Sequence, residues 1–225
     1  MSEERKLVII GGGGFGAEAL WVAEDQNSSG MNPFSWKIVG FGDDNPDLKG
    51  ADFAGYSVMG TTEELCRSLD PDTYFYCAVG NNRKRARVAR IMLDGGFKGA
   101  TLIHPSVVMH RTAVVGQGTY VGAGSVIAPG AKIGDFVLIN TLAGIGHDSL
   151  VGDFSQVCPG AKVNGECRID GFAFIGSNAS VQPKRTVGSG ATVGANSFVV
   201  RSVASDCVVQ GVPARITVRP QSQRS

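Results

Sequence analysis

The chain has 225 residues with 21 Lys and Arg against 20 Asp and Glu, a formal net charge of +1, so the balance implies no nucleic-acid partner. No apolar run reaches the roughly 18 residues of a membrane span, and the start, Met-Ser-Glu-Glu-Arg-Lys, is not a signal peptide. Five cysteines, an odd number without metal-ligand spacing, read as reduced thiols of a cytoplasmic protein.

Residues 6–10 (Lys-Leu-Val-Ile-Ile) read as a short buried strand, then come Gly11-Gly12-Gly13-Gly14-Phe15-Gly16 and a helical stretch over 17–25. Gly11, Gly13 and Gly16 satisfy G-x-G-x-x-G, in which small residues let backbone amides approach phosphate; the same pattern also makes a tight turn without a ligand. A polar loop over 27–35 leads to a strand over 36–41, which ends in Gly42-Asp43-Asp44-Asn45-Pro46. Carboxylates placed there can accept hydrogen bonds from a ribose or base, or simply close a turn. An edge strand over 56–59 and a short helix opened by a Thr61-to-Glu64 capping box follow. A buried strand over 73–79, Gly80-Asn81-Asn82 and a basic helix over 83–93 complete the alternation, with Arg83, Lys84, Arg85, Arg87 and Arg90 expected mostly on a solvated face. Alternating strand and helix imply a small parallel sheet, and three loops meet at its carboxyl edge, where ligands of such sheets bind.

From Ile103 to Val199 an aliphatic residue or Met stands at every sixth position, seventeen anchors without a slip. A fixed period means a solenoid, and an even period suits strand alternation rather than a helix. Glycine often follows the anchor and a small residue often stands four places on, as suits a chain that turns a corner each hexapeptide. Three hexapeptides make one coil of eighteen residues, so residues 101–200 should wind five to six coils around a narrow core in which all the anchors are buried. Residues 200–210 leave this phase.

The repeat resembles that of the hexapeptide-repeat acyltransferases, whose fold is a left-handed parallel β-helix. With the glycine loop, the Gly-Phe-x-Asp-Asp strand end and His104-Pro105-Ser106, the chain is similar to the bacterial sugar O- and N-acetyltransferases that act on sialic acid or on UDP-linked 4-amino sugars. This resemblance implies a Rossmann-like nucleotide-sugar domain over 1–100, a β-helix acetyltransferase domain over 101–215 and a tail over 216–225. It implies acetyl-CoA as co-substrate without a metal, a homotrimer with the active site between adjacent solenoids, and work in surface-glycan biosynthesis. The implied reaction moves acetyl onto the amine of a UDP- or similarly linked amino sugar. Sugar O-acetylation of the sialic-acid type, or a nucleotide-binding scaffold without activity, are the alternatives.

The residue roles follow the same resemblance. His147, in Gly144-Ile145-Gly146-His147-Asp148-Ser149, matches the family's base, and Asp148 the carboxylate that orients it. Strand alternation would turn Asp148 away unless the backbone kinks there. Asn140 matches an acceptor-site asparagine, or else bonds within the helix as a ladder. Gln156 stands where many relatives carry a second, substrate-meeting histidine, and Phe15 where the family loop has one. The implied nucleotide-sugar site comprises Gly13, Gly14, Phe15, Gly16, Asp43, Asp44, Gly80, Asn81 and Asn82. Gly165 would face the acetyl carbonyl, and Gly211-Val212-Pro213-Ala214-Arg215 resembles a terminal signature beside coenzyme A, with Arg215 suited to a phosphate. Rival readings are a zinc enzyme like the γ-class carbonic anhydrases, which needs three convergent histidines, and a dinucleotide oxidoreductase.

Overall fold

The computed structural model describes residues 3–218. Met1 and Ser2, and residues 219–225 of the expected tail, lie outside the described residues. The chain divides after Pro105 into two compact units.

The first unit is a sheet of β1 (Glu3–Ile10), β2 (Phe34–Gly42), β3 (Asp52–Phe53), β4 (Tyr56–Gly60), β5 (Tyr74–Cys77) and β6 (Lys98–Gly99), in the order β3-β4-β2-β1-β5-β6. All neighbours run parallel except the β3–β4 hairpin. The second half of the central β1, residues 7–10, is apolar without alternation because both its faces are covered there, and Leu7, Val8 and Ile9 are fully buried. Helices α1 (Gly14–Ser29), α2 (Thr62–Ser68) and α3 (Asn82–Asp94) connect the strands.

Helix α1 is longer than the sequence pattern suggested. Its last turn, expected as loop, is tied to β2: the Asn27 side chain makes two bonds to the Trp36 backbone, and the Trp36 indole donates to Gln26 Oε1 at 3.0 Å. Gly30 closes the helix in the left-handed region at φ 63°. The capping box of α2 forms, with Thr61 accepting from the Glu64 amide and Glu64 Oε2 accepting from Thr61 N. Of the basic residues expected mostly on the solvated face of α3, Arg83, Lys84, Arg87 and Arg90 are exposed and one is not. Arg85 is not on the solvated face of α3 but fully buried, donating to the carbonyls of Val79 and Gly80 and to Asn82 Oδ1. Its burial pulls the guanidinium down to about 10.

The second unit is a left-handed parallel β-helix. Two-residue strands pair in parallel at intervals of eighteen, as in Val126↔Gly144↔Lys162↔Ser180, with Ile127, Ile145, Val163 and Val181 stacked inside. Two of its columns hold six and five strands. The anchors from Val121 to Val199 are no more than 3% exposed. Met109 departs from the expectation: it is 42% exposed, since an end coil of the solenoid has a neighbouring coil on one side only. Ile103 and Val115 are only half-buried.

The corners explain the glycines differently from the sequence reading. The left-handed backbone falls three places after the anchor, at Phe136, Leu142, Asp148, Phe154 and onward, and not at the glycine one place after. That glycine serves close approach between coils: a Cβ on Gly152 would stand 2.6 Å from the amide nitrogen of Gly171. The small residue four places on is mostly buried inside the corner, and at Ser125, Ser149 and Ser155 its hydroxyl donates to a carbonyl of the next coil, as Ser125 does to Asn140 at 2.8 Å. The last coil is two residues shorter, because Val187 faces Val203 and Val193 faces Val209. Residues 200–210 therefore continue the winding out of phase. Arg215–Val218 then returns antiparallel against Val208–Gln210, so the first residues of the expected tail form a strand.

Candidate active site

In the first unit a cavity of about 510 Å³ opens at the carboxyl edge of the sheet, lined by Gly11, Asp43, Asp44, Thr61, Glu63, Lys84 and Arg87 with Ile10, Val79 and Val88. Asp43 accepts from the Gly12 amide at 2.8 Å and from Asn45 N at 2.9 Å, so it ties the glycine loop to the end of β2. Asp44 Oδ1 accepts from both the amide and the hydroxyl of Thr62, anchoring the start of α2. Each carboxylate keeps lone pairs for a ligand.

The other residues expected here build the walls rather than line the cavity. Gly13 is the N-cap of α1, and Gly13 and Gly14 face open space. Gly16 is buried against the carbonyl of Gly11, so its lack of a Cβ lets helix meet strand. Phe15 packs edge-on to Tyr76. Asn81 caps α3 by accepting from Arg83 N and Lys84 N, while Gly80 and Asn82 hold Arg85. Lys84 and Arg87 were missed as pocket cations. Their signal was the i, i+3 spacing at the start of a helix leaving a strand's carboxyl end.

In the second unit His147 and Asp148 sit on one corner of the β-helix. Asp148 takes φ 55°, which breaks strand alternation and swings its carboxylate beside the ring. Oδ2 of Asp148 lies 2.9 Å from Nδ1 of His147. A carboxylate there selects the tautomer with the proton on Nδ1 and leaves the Nε2 lone pair free. Nε2 lies over Gly165, one coil on, where a Cβ would meet Cδ2 at 2.7 Å and Cε1 at 2.8 Å, with Nε2 closer still. The His147 carbonyl is fixed by the Glu166 amide at 2.8 Å, and Asp148 N donates to Pro129 O at 3.0 Å. Both side chains are accessible, at 58% and 68% exposure. Among the described residues the Gly165 N–H makes no hydrogen bond, although the amides on either side of it do.

Asn140 and Gln156 are not joined to His147 by any hydrogen bond. Asn140 is 9% exposed, with its amide 3.5 Å from Val157 O. Gln156 directs Nε2 to the Cys158 sulfur at 3.6 Å, and its Oε1 is buried without a partner. Gly211 and Ala214 bond along Phe198, and Arg215 lines a separate cavity of about 340 Å³ with Arg201. The remaining histidines do not converge on His147: His104 Nε2 is 3.0 Å from Asp25, and His110 Nδ1 is 2.9 Å from the Thr112 hydroxyl. Among the described residues no group of three or more His, Cys, Asp or Glu is placed to hold a metal ion.

Residues 6–92 match the PglD N-terminal domain family. A 53-residue stretch is 45% identical to UDP-N-acetylbacillosamine N-acetyltransferase of Bacillus subtilis (strain 168), a match that spans 24% of that relative's length. Several solved structures match nearly end to end, among them two acetyltransferases. The acetyltransferase domain of PglB from Neisseria gonorrhoeae FA1090, in complex with acetyl coenzyme A, is 35% identical with a TM-score of 0.83, covering 95% of this chain and 99% of that one. PerB from Caulobacter crescentus, in complex with CoA and GDP-perosamine, is 32% identical with a TM-score of 0.82, covering 95% and 97%. The chain belongs to the hexapeptide-repeat acyltransferases, in the branch of acetyl-CoA-dependent sugar N-acetyltransferases that carry a PglD N-terminal domain.

Proposed function

We propose that this protein transfers acetyl from acetyl-CoA to the amino group of a nucleoside-diphosphate-linked amino sugar, with His147 as general base. The observation that carries this is the imidazole held by Asp148 through Nδ1, with Nε2 left open above Gly165. Nε2 takes the proton that the neutral amine loses as it attacks the thioester carbonyl, and Asp148 stabilises the imidazolium that forms. The unbonded Gly165 amide supplies a donor for the thioester oxygen as it gains charge. The imidazolium then returns its proton to the departing thiolate.

The cavity at the carboxyl edge of β1 and β2 takes the nucleotide, with Lys84 and Arg87 against the diphosphate and Asp43 toward the ribose or base. A homotrimer places the His147 corner against a neighbouring solenoid; the exposed Val108, Val126 and Leu150 on the solenoid's flanks support such contacts. The free thiols and the nucleotide-sugar acceptor favour a cytoplasmic setting and a role in glycan assembly. Incubation with acetyl-CoA and a UDP-linked 4-amino sugar should release free thiol stoichiometrically with acetylated product. Tight binding of NAD with none of a nucleotide sugar would sink the assignment, and a monomer by light scattering would sink the trimer.

A further inference from the structure

The largest fully buried side chain among the described residues carries a charge: Arg85, in the first turn of α3. Taking a guanidinium out of water is costly, and an apolar residue of like volume would fill the same space at lower free energy. Nη1 donates to Val79 O at 2.9 Å and to Gly80 O at 3.4 Å, and Nη2 to Asn82 Oδ1 at 2.9 Å, all neutral acceptors. Burial holds the group down at about 10, so its surroundings disfavour the charge, yet it stays protonated at neutral pH.

The turn that Arg85 braces, residues 79–82, belongs to the wall of the cavity at the carboxyl edge of the sheet. Val79 lines that cavity, and so do Lys84 and Val88, one place before Arg85 and three places after it. Nη1 is therefore one hydrogen bond from a lining residue. Cys77, at the end of β5, lies in the field of both Arg85 and the cavity-lining Asp44. Lys84 and Arg87 are exposed, where salt screens them; Arg85 acts from inside the protein, where it does not.

We propose that Arg85 is a positioning residue for the nucleotide: without touching the ligand, its fixed positive charge behind the 79–82 turn holds the diphosphate in the cavity. This rests on the reading that the cavity takes a nucleoside diphosphate. A buried charge acts through a medium of lower effective dielectric than water, so its pull on a diphosphate outlasts that of the exposed cations as salt rises.

Calorimetric titration of the full chain with UDP and GDP tests this, with coenzyme A affinity and a thermal melt as checks on the fold. Arg85→Met should weaken whichever nucleotide the wild type takes by about 10-fold at neutral pH, with coenzyme A bound as before. The ratio of wild-type to variant affinity should hold from low to high salt, whereas the same ratio for Lys84→Ala should shrink. Arg85→Lys keeps the charge and should retain most of the affinity at neutral pH. It should lose that affinity at a lower pH than the wild type, because a buried lysine sheds its proton more readily than an arginine. Tyr76 and Cys77, which face the guanidinium from β5, and Lys84, Arg87 and Asp44 at the cavity are common to both proteins and do not produce that difference. Should Arg85→Met melt early, the pH profile of Arg85→Lys decides alone. Unchanged nucleotide affinity in a folded Arg85→Met overturns the inference, and so does an Arg85→Lys profile that runs parallel to the wild type's. A wild type that takes neither UDP nor GDP would instead overturn the reading of the cavity.

Discussion

Adding one methyl at Gly165 probes the base without touching it. The Cβ of Gly165→Ala would stand 2.7 Å from His147 Cδ2 and 2.8 Å from Cε1, and nearer still to Nε2. Real Cβ atoms do not tolerate such contacts, so the ring must swing away. It can do so readily because it is 58% exposed, but the swing breaks the 2.9 Å bond to Asp148 and buries the base nitrogen's approach under the methyl. The backbone of Gly165 is outside the left-handed region, so alanine adds no conformational strain. Stability should therefore stay level or rise by a few tenths of a kcal/mol through the stiffer unfolded chain. Activity should move the other way, with kcat down about 100-fold or more, the lower range for loss of a general base. Thiol release at saturating substrates gives the rate, and a thermal melt gives the stability. In the double variant with His147→Ala the two losses should fail to add, because both remove the same function. A Gly165→Ala protein that keeps more than about a third of wild-type kcat, with chemistry rate-limiting, refutes the placement of Nε2 as the base.

His147→Ala should lower kcat by roughly 10²–10⁴-fold with the fold intact, and Asp148→Asn should cost less, as a group that orients the ring; equal losses would give Asp148 a direct part. The paired acidic residues should separate. Asp43→Ala should chiefly raise the acceptor KM, whereas Asp44→Ala should also destabilise by about 1–2 kcal/mol, since it strands the fully buried Thr62 amide and hydroxyl. Identical melting curves for the two variants would count against that division. Burial raises the Cys158 thiol from its ordinary 9.0 to about 11, and burial pushes Cys77 up further. The folded chain keeps these protons where the unfolded chain has released them, so stability is full below pH 9 and falls as the pH rises toward 11. The slope should approach about 1.4 kcal/mol per pH unit for each thiol. Denaturant midpoints that stay flat from pH 8 to 11 would contradict it.

The solenoid was legible because every coil repeats one environment: an aliphatic anchor inside, a small residue inside the corner, a glycine against the next backbone. The reason for that glycine was not legible, since sequence shows that a Cβ is absent and not what it would strike. Arg85 was misread because a charge run on a helix looks solvated, and the carbonyls of Val79 and Gly80 that receive it become acceptors only once the β5–α3 turn is formed. The last turn of α1 was taken for loop because Asn27 and its serine neighbours have low helix propensity; their stabilisation comes from Trp36, a residue on another element. At the corner, His147 stood out from its Pro and Gly neighbours. The meeting of Asp148 with its ring did not, because pair alternation predicts opposite faces and only the left-handed backbone at Asp148 reverses that.

The shortened final coil also acts as a chain terminator. A parallel solenoid is open-ended, and the top strand of each column offers unpaired amides and carbonyls to any extended segment that arrives, including the first coil of another copy. Here Arg215–Val218 lies on Val208–Gln210 in the opposite direction. A reversed strand cannot be followed by a further turn in the same sense, so the winding register is lost at that point. The Gly211–Ala214 link that makes the reversal thus covers the last strand of one of the three columns. Without that reversal, Val208–Gln210 would offer its free edge to an arriving strand.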